Sequence, residues 1–423
     1  MVWVVLIFVL IFAVFSKMRY ETAAIGGLFV LGLLGISPPS ELFSGFSNPA
    51  LFTVIIVLVM SEGIVESGIL TGLGKSIASK IHNPEKQILA VSISTWLLSA
   101  FMNNVGAIGL ILPTSRRMAA RAGIDKARFG MPIPFASILG GSVTLIGTAS
   151  NLIVSTFRLQ ASGKPFNMFD FAAHGLAMSL AAFALWFISR IFRNNPKRRQ
   201  KEKTEKISFN DEELLIPEPE VKRSKKNTLI VLITLIPAIV LTGTGIIHPS
   251  VAFGIVVLLW LAAGIFKYNT AIRAINIPIL LFLGSMLSIS AILDSTGALP
   301  DLVDLIIPFV ATLPSFWLIL AFLFITAVLA NIINNSVAAV LMAPAAILLY
   351  QSGAITVKMD ALLMAVAAGA SLGLVMPTHQ TTIVAMNSMG FKKMDFIRKG
   401  ALIALVSGIT ASIVIYFIWN KTF

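Results

Sequence analysis

Twelve apolar segments occupy most of the sequence and leave few ways for it to fold. Ten suit one bilayer crossing each, at roughly 2–16, 22–37, 50–66, 131–157, 171–192, 228–247, 251–266, 277–293, 360–386 and 401–419. A helix needs about 20 apolar residues to cross the hydrocarbon core, where every backbone polar group must find its partner inside the protein. The other two segments, about 87–113 and 316–348, are too long for one plain crossing. Each is interrupted by an asparagine pair, Asn103-Asn104 and Asn334-Asn335, with a proline nine residues beyond, Pro113 and Pro344. Broken helix at membrane depth is tolerated only inside protein or beside water, so each long segment reads as a re-entrant hairpin.

Composition agrees. Of 423 residues, 57% are hydrophobic and only 12% are charged, where a soluble domain keeps roughly a quarter charged. The fold class expected is an all-α polytopic membrane protein of about ten transmembrane helices plus two hairpins. Val2 to Phe15 resembles a signal peptide, but Lys17 and Arg19 follow it and no small-x-small cleavage site does, so it reads as a mature helix. The net charge of +13 comes from basic residues in loops between apolar segments, a mark of topology and not of nucleic-acid binding. The absence of cysteine excludes disulfides, thiolate metal sites and thiol catalysis. Scattered histidines leave no nucleophile–base pair or transition-metal cluster, so the chain does not read as an enzyme. No cofactor is expected.

The charged, proline-bearing stretch 193–227 reads as a solvated linker between two halves, 1–192 and 228–423. With the linker placed in the cytoplasm, the ten spans and two hairpins thread so that all but four of the 32 Lys and Arg fall inside; the exceptions are Arg158, Lys164, Lys358 and Lys421. Both termini then lie outside, and the halves begin on opposite faces. Each contains three spans, a hairpin and two spans, which predicts inverted repeats. Residue matches agree: the asparagine pairs and prolines are related by an offset of 231, and "GTASNLIV" (Gly147 to Val154) matches "PTHQTTIV" (Pro377 to Val384) at 230. "VESGIL" at Val65 likewise resembles "LDSTGAL" at Leu293.

These interruptions carry the chemistry. The arm leaving each tip starts a helix whose first amides lack partners, and asparagine is among the best caps for them. A helix start suits an anion, while freed carbonyls and asparagine oxygens suit a hard cation such as sodium. Discontinuous helices meeting near the midplane are how secondary transporters build paired sites. Gly147 to Asn151 and Met376 to Thr382 read as unwound loops in their spans, each facing the tip of its own half; Pro377 cannot continue helical bonding. His379 reads as a neutral imidazole holding its loop, with proton coupling or substrate contact as the sharper alternative. His82, His174 and His248 lie at segment ends with no specific role. Glu62 is placed on a structural span, and Glu66 and Asp294 are repeat equivalents that would cap the segments after them. No Lys or Arg lies in mid-span, so a bound anion needs a co-bound cation.

The chain resembles the divalent anion–sodium symporter family of the ion transporter superfamily. Asn103-Asn104-Val105 and Asn334-Asn335-Ser336 stand at the family's Ser-Asn-Thr tips; Gly147, Thr148 and Asn151 match its first loop, and "PTHQTT" is similar to the "GHQTN" second loop of a bacterial and archaeal branch. The resemblance covers nearly the whole chain. It implies a plasma-membrane homodimer with an elevator motion of hairpins and broken spans against a scaffold, and sodium-coupled transport of a dicarboxylate, citrate or sulfate. Carried over residue by residue, it implies that Asn103, Asn104, Val105, Asn334, Asn335, Ser336, Thr148, Thr378 and His379 meet substrate. Sodium would be held by Asn104, Gly147, Asn151, Asn335, Thr378, Thr381 and Thr382. Asn103 and Val105 replace two tip hydroxyls, and Thr382 replaces the loop asparagine. The rival reading is a cation/proton antiporter or arsenite-type efflux permease of the same superfamily, for which a buried Asp beside the hairpin asparagine is expected; "NNVGA" and "NNSVA" have none.

Overall fold

The computed structural model describes residues 19–67, 81, 83–191, 225–296, 308, 310, 312–377 and 379–421. The candidate span at 2–16, nearly all of the linker, the segment after Ser67, His82 and Thr378 lie outside these residues. Every regular element among the described residues is a helix. In chain order the principal ones are α1 (Tyr20–Leu33), α2 (Pro49–Glu66), α3 (Pro84–Phe101), α4 (Asn104–Ala122), α5 (Pro132–Gly141), α6 (Ala149–Ser162), α7 (Ala172–Ile191), α8 (Lys225–Gly243), α9 (Pro249–Ala262), α10 (Ile277–Ser295), α11 (Ser315–Ile332), α12 (Asn335–Gln351), α13 (Met359–Ala370), α14 (Gln380–Met389) and α15 (Lys393–Ile415).

Both long apolar segments are hairpins of two helices packed on each other, α3 with α4 and α11 with α12. Two residues separate the arms in each: Met102 and Asn103, then Ile333 and Asn334. The second arms run past the expected ends at 113 and 348, because Pro113 and Pro344 sit inside α4 and α12 without stopping them. α4 stops instead at Gly123, whose φ of 61° is the left-handed turn glycine adopts without strain.

Three helical stretches, Lys226–Gly243, Ser315–Ile332 and Lys393–Asn420, are each long and apolar enough alone to cross a membrane. The second is nonetheless a hairpin arm, turned back at Asn334. Two expected spans are broken: α5 and α6 replace 131–157, and α13 and α14 replace 360–386. At 1.5 Å per residue, α5 (10 residues) is about 15 Å long and α13 (12 residues) about 18 Å, close to half of a ~30 Å hydrocarbon core.

Packing sorts the helices into two groups. α1 lies on α10 and α2 on α9, with the 3-10 turn Ser44–Ser47 wedged against α10. There Gly45 donates its N–H to Ser288 Oγ at 2.9 Å. The second group holds the hairpins and broken helices. α5 packs on α3 and α13 on α11, and each contact passes through a glycine: a Cβ on Gly140 would strike the Trp96 carbonyl, and one on Gly369 the Leu323 carbonyl. Small residues let membrane helices approach this closely. The halves then cross over, α6 on α12 and α14 on α4.

An ion pair reinforces that crossing. Arg158 at the end of α6 donates from Nε and Nη2 to the two carboxylate oxygens of Asp360 in the first turn of α13, each at 2.8 Å. Its Nη1 donates to the Pro165 carbonyl at 2.9 Å, and the guanidinium lies 4.4 Å from the centre of the Phe166 ring. The two ends were both threaded to the outer face from basic-residue counting, as were Lys358 and Asn420, joined at 3.0 Å. Arg128 and Glu85, both threaded inside, pair as well.

The Arg158–Asp360 side chains are 20% and 25% exposed, whereas Arg128 is 45% exposed. Asp360→Asn should therefore cost about 2 kcal/mol, the range for a charged, bidentate hydrogen bond that is partly shielded from water. Glu85→Gln should cost less, about 0–1 kcal/mol, as more exposed pairs do. Thermal denaturation midpoints of the two variants in detergent check this order; equal shifts would contradict it.

Candidate functional site

The first tip forms where α3 ends. Met102 is extended (φ −148°, ψ 163°), which breaks the helix, and Asn103 caps α4 by accepting the Val105 N–H at 3.1 Å. Asn103 is spent on the cap and is exposed, whereas Asn104 is buried. The Asn104 Oδ1 accepts from Ser99 Oγ at 2.6 Å, and its backbone carbonyl accepts from Ser137 Oγ of α5 at 3.1 Å. The side chain is thereby turned toward the break in the span that follows the hairpin in its own half.

That break runs over 142–148, and Ala149 already starts α6. Gly147 and Thr148 lie in it, but Asn151 stands in the first turn of the helix. Thr144 Oγ1 donates to the Ala100 carbonyl, pinning the loop to the hairpin, and accepts the Gly147 N–H at 3.2 Å. Asn151 Nδ2 donates to the Thr144 carbonyl at 2.8 Å and more weakly to Ser142 at 3.4 Å. Its Oδ1 is buried with no hydrogen-bond partner. Two glycines set the closeness of this cluster. A Cβ on Gly141 would stand 2.5 Å from Asn104 Oδ1 and 2.9 Å from the Gly147 carbonyl; one on Gly147 would meet the Gly141 and Ser99 carbonyls at 2.5 and 2.9 Å. Acceptor oxygens are thus gathered at this break, and Asn151 in the helix after it adds a buried oxygen that lacks any donor. A hard cation suits such a set.

The second tip repeats the plan. Asn334 is extended (φ −173°, ψ 164°) and caps α12 through the Val337 N–H at 3.1 Å, while Asn335 is buried. The Tyr20 side chain of α1 lies near the Asn334 side chain, and α10 packs on α12, so helices of the other group reach this tip. Among the described residues the unwound stretch comprises 371–377 and 379, beginning before Met376 and ending before the two threonines. Thr381 and Thr382 therefore sit in the first turn of α14, both buried with unpartnered hydroxyls. Asn331 holds the loop: its Nδ2 donates to the Leu372 carbonyl at 3.0 Å, and its Oδ1 accepts the Val375 and Met376 N–H groups at 2.8 and 2.9 Å.

His379, the last residue before α14, bonds across to the hairpin tip. Its Nε2 lies 2.5 Å from Asn335 Oδ1. A Cβ on Gly373 would meet that same oxygen at 2.5 Å and the imidazole at 3.1–3.2 Å. α6 starts at Ala149 and α14 at Gln380, the same offset of 231 that relates Asn104 to Asn335 and one residue from the 230 of the sequence match. Counted from the helix starts, the residue before each helix is Thr148 in one half and His379 in the other, and Asn151 stands at the position of Thr382.

Of the residues expected to meet substrate, Val105, Ser336 and Thr148 are half-buried beside the tips, and Thr148 Oγ1 lies 3.2 Å from Ser150 Oγ. Ser99, Ser137, Thr144 and Asn331 were not foreseen. Ser99 and Asn331 lie within five residues of the asparagine pairs, where a polar residue buried in an apolar run was the available signal. His174 lies at a segment end and is buried there. It is wholly enclosed at the start of α7, edge-on to Phe171 at 6.0 Å, with neither ring nitrogen bonded. Among the described residues no group of three His, Asp or Glu side chains is placed to hold a metal.

Comparison with known proteins follows the same lines. An uncharacterised transporter of Synechocystis is 31% identical over 173 residues, 41% of this chain and 28% of that protein. Sodium/sulfate cotransporter 2 of Chlamydomonas reinhardtii is 27% identical over 156 residues, 35% of this chain and 18% of that protein. The chain therefore spans well under half the length of these relatives. In fold it is similar to MtrF of Neisseria gonorrhoeae, described as one of a class of antimetabolite efflux pumps, with a TM-score of 0.66 at 14% identity, covering 93% of this chain and 84% of that one. The sequence profile of the citrate transporter family, CitMHS, matches residues 10–418. This chain is a multi-pass membrane protein that belongs to the CitMHS citrate transporter family.

Proposed function

We propose that the chain is a secondary active transporter that couples sodium to the import of a small divalent anion, sulfate or a dicarboxylate. One observation carries this reading: the buried, partnerless Asn151 Oδ1 belongs to a side chain bonded to the Thr144 carbonyl of the broken span, whose Gly141 and Gly147 pack against Asn104 Oδ1. A sodium ion there satisfies Asn151 and brings the positive charge that the mid-span sequence lacks. The anion then lies between the two tips, near the starts of α4, α6, α12 and α14. Amides at a helix start, with its partial positive charge, favour an anion. Asn104, Val105, Asn335, Ser336 and Thr148 are the side chains placed to meet it, with Asn103 and Asn334 shaping the tips as caps; Thr378 is proposed from sequence alone.

The hairpins and broken helices move as one unit against α1, α2, α9 and α10, an elevator motion between inverted repeats in a homodimer. The grouping of helices supports this, since α6 with α12 and α14 with α4 bind the halves into one body. The Arg158–Asp360 pair closes that body at one end. The sodium/sulfate cotransporter relatives support the choice of ion and cargo.

Purified protein in liposomes should accumulate labelled sulfate, succinate or citrate only under an inward sodium gradient. If none accumulates and internal pH responds to added sodium, the antiporter reading replaces this one. Asn104→Ala should abolish sodium-dependent uptake while the protein remains monodisperse in detergent; unchanged uptake would remove Asn104 from the site. Gly141→Ala places a methyl group against Asn104 Oδ1 and should raise the half-saturating sodium concentration at least tenfold. Gly26→Ala, where a Cβ meets nothing within 4 Å, should leave it unchanged.

A further inference from the structure

The two tips share a plan but differ in what fills their centres. At the first, Asn104 Oδ1 accepts from the Ser99 hydroxyl and lies beside the Gly147 carbonyl, and the orphaned atom, Asn151 Oδ1, only accepts. At the second, the corresponding asparagine oxygen already faces a ring nitrogen. With Asn335 Oδ1 as acceptor, the facing Nε2 of His379 is the protonated nitrogen, and the 2.5 Å between them equals a hard cation's distance to its oxygen ligands, about 2.3–2.6 Å for a calcium-sized ion. Gly373 seals the contact, because even a methyl group there would strike both partners. At the common offset His379 stands where the first half has Thr148, which makes no comparable bond: its hydroxyl turns to Ser150.

From this asymmetry we infer that His379 occupies, with its N–H, the place of a second coupling cation, so that only the first tip binds sodium. The inference rests on the sodium reading above and narrows it to one ion per chain. The imidazole reaches Asn335 Oδ1 from the broken span and takes up the volume where the ion would sit, whereas Asn104 Oδ1 receives its hydrogen bond from Ser99 of its own hairpin. The remaining atoms agree with this division. The second half has no counterpart of the Asn151 carbonyl oxygen, since Thr382 stands in its place. Among the described residues around this break the buried unpartnered atoms are the Thr381 and Thr382 hydroxyls, which can donate as well as accept. The second tip is therefore filled by the imidazole beside hydroxyls able to donate to the anion, while the first break keeps an orphaned oxygen that can only accept.

Equilibrium binding of radioactive sodium to the purified full chain in lipid nanodiscs tests this. The wild-type protein should bind one sodium per chain, Asn104→Ala none, and Asn335→Ala still one. His379→Gln, which keeps a side-chain N–H donor, should also bind one, and it serves should Asn335→Ala fail to fold. Two ions per wild-type chain, or loss of an ion in a folded Asn335→Ala protein, would overturn the inference while leaving sodium coupling intact. No sodium bound by the wild-type protein would overturn both.

Discussion

An amide or carbonyl left without a partner in hydrocarbon costs several kcal/mol, roughly 4–8 on water-to-cyclohexane scales, and four helices of this protein break where that cost applies. The structure depends on how those breaks are satisfied. At each hairpin tip one asparagine of the pair turns outward to cap the new helix, and the other turns inward to the broken span. The doublet is therefore a division of labour between neighbours: Asn103 and Asn334 satisfy amides, while Asn104 and Asn335 present buried oxygens to the site. A single asparagine could not do both.

Tying each loop to its own hairpin is solved twice with opposite chemistry. In the first half a loop side chain, Thr144, donates to a hairpin carbonyl, that of Ala100. In the second half a hairpin side chain, Asn331, both donates to and accepts from the loop backbone. At the common offset Asn331 corresponds to Ala100, and Val375 to Thr144. The polar group has changed sides while the link stayed in register, as expected when geometry is constrained and the atoms supplying it are not. The same freedom lets His379 stand opposite Thr148 and gives the two tips different chemistry.

Much of this was legible in the sequence because membrane constraints are severe. Apolar length placed the helices, the asparagine pairs placed the hairpin tips, and basic residues sorted loops that the Arg158–Asp360 and Arg128–Glu85 contacts bring together. The loops were read too late along the chain. Polarity marked Gly147 to Asn151 and Met376 to Thr382, but unwinding starts upstream, at Ser142 and Ser371, and the later polar residues belong to the first turns of α6 and α14. Sequence polarity cannot tell a loop residue from a first-turn residue facing that loop. Ser99, Ser137 and Asn331 escaped notice because a lone hydroxyl or amide in an apolar helix ordinarily bonds the preceding turn, and only the three-dimensional approach of α3 to α5 and α11 to α13 shows otherwise. His174 is the reverse case: from sequence a residue at a segment end, in the fold an enclosed imidazole.

The most direct measurement of the central claim, that two helix interruptions from opposite halves cradle an ion and its cargo, is an electron cryo-microscopy map of the protein in sodium sulfate. Ion density is expected in contact with Asn151 Oδ1 and the Gly147 carbonyl, with a larger tetrahedral peak between Asn104 and Asn335. Density for both species away from the tips, or asparagine doublets facing lipid, would contradict it.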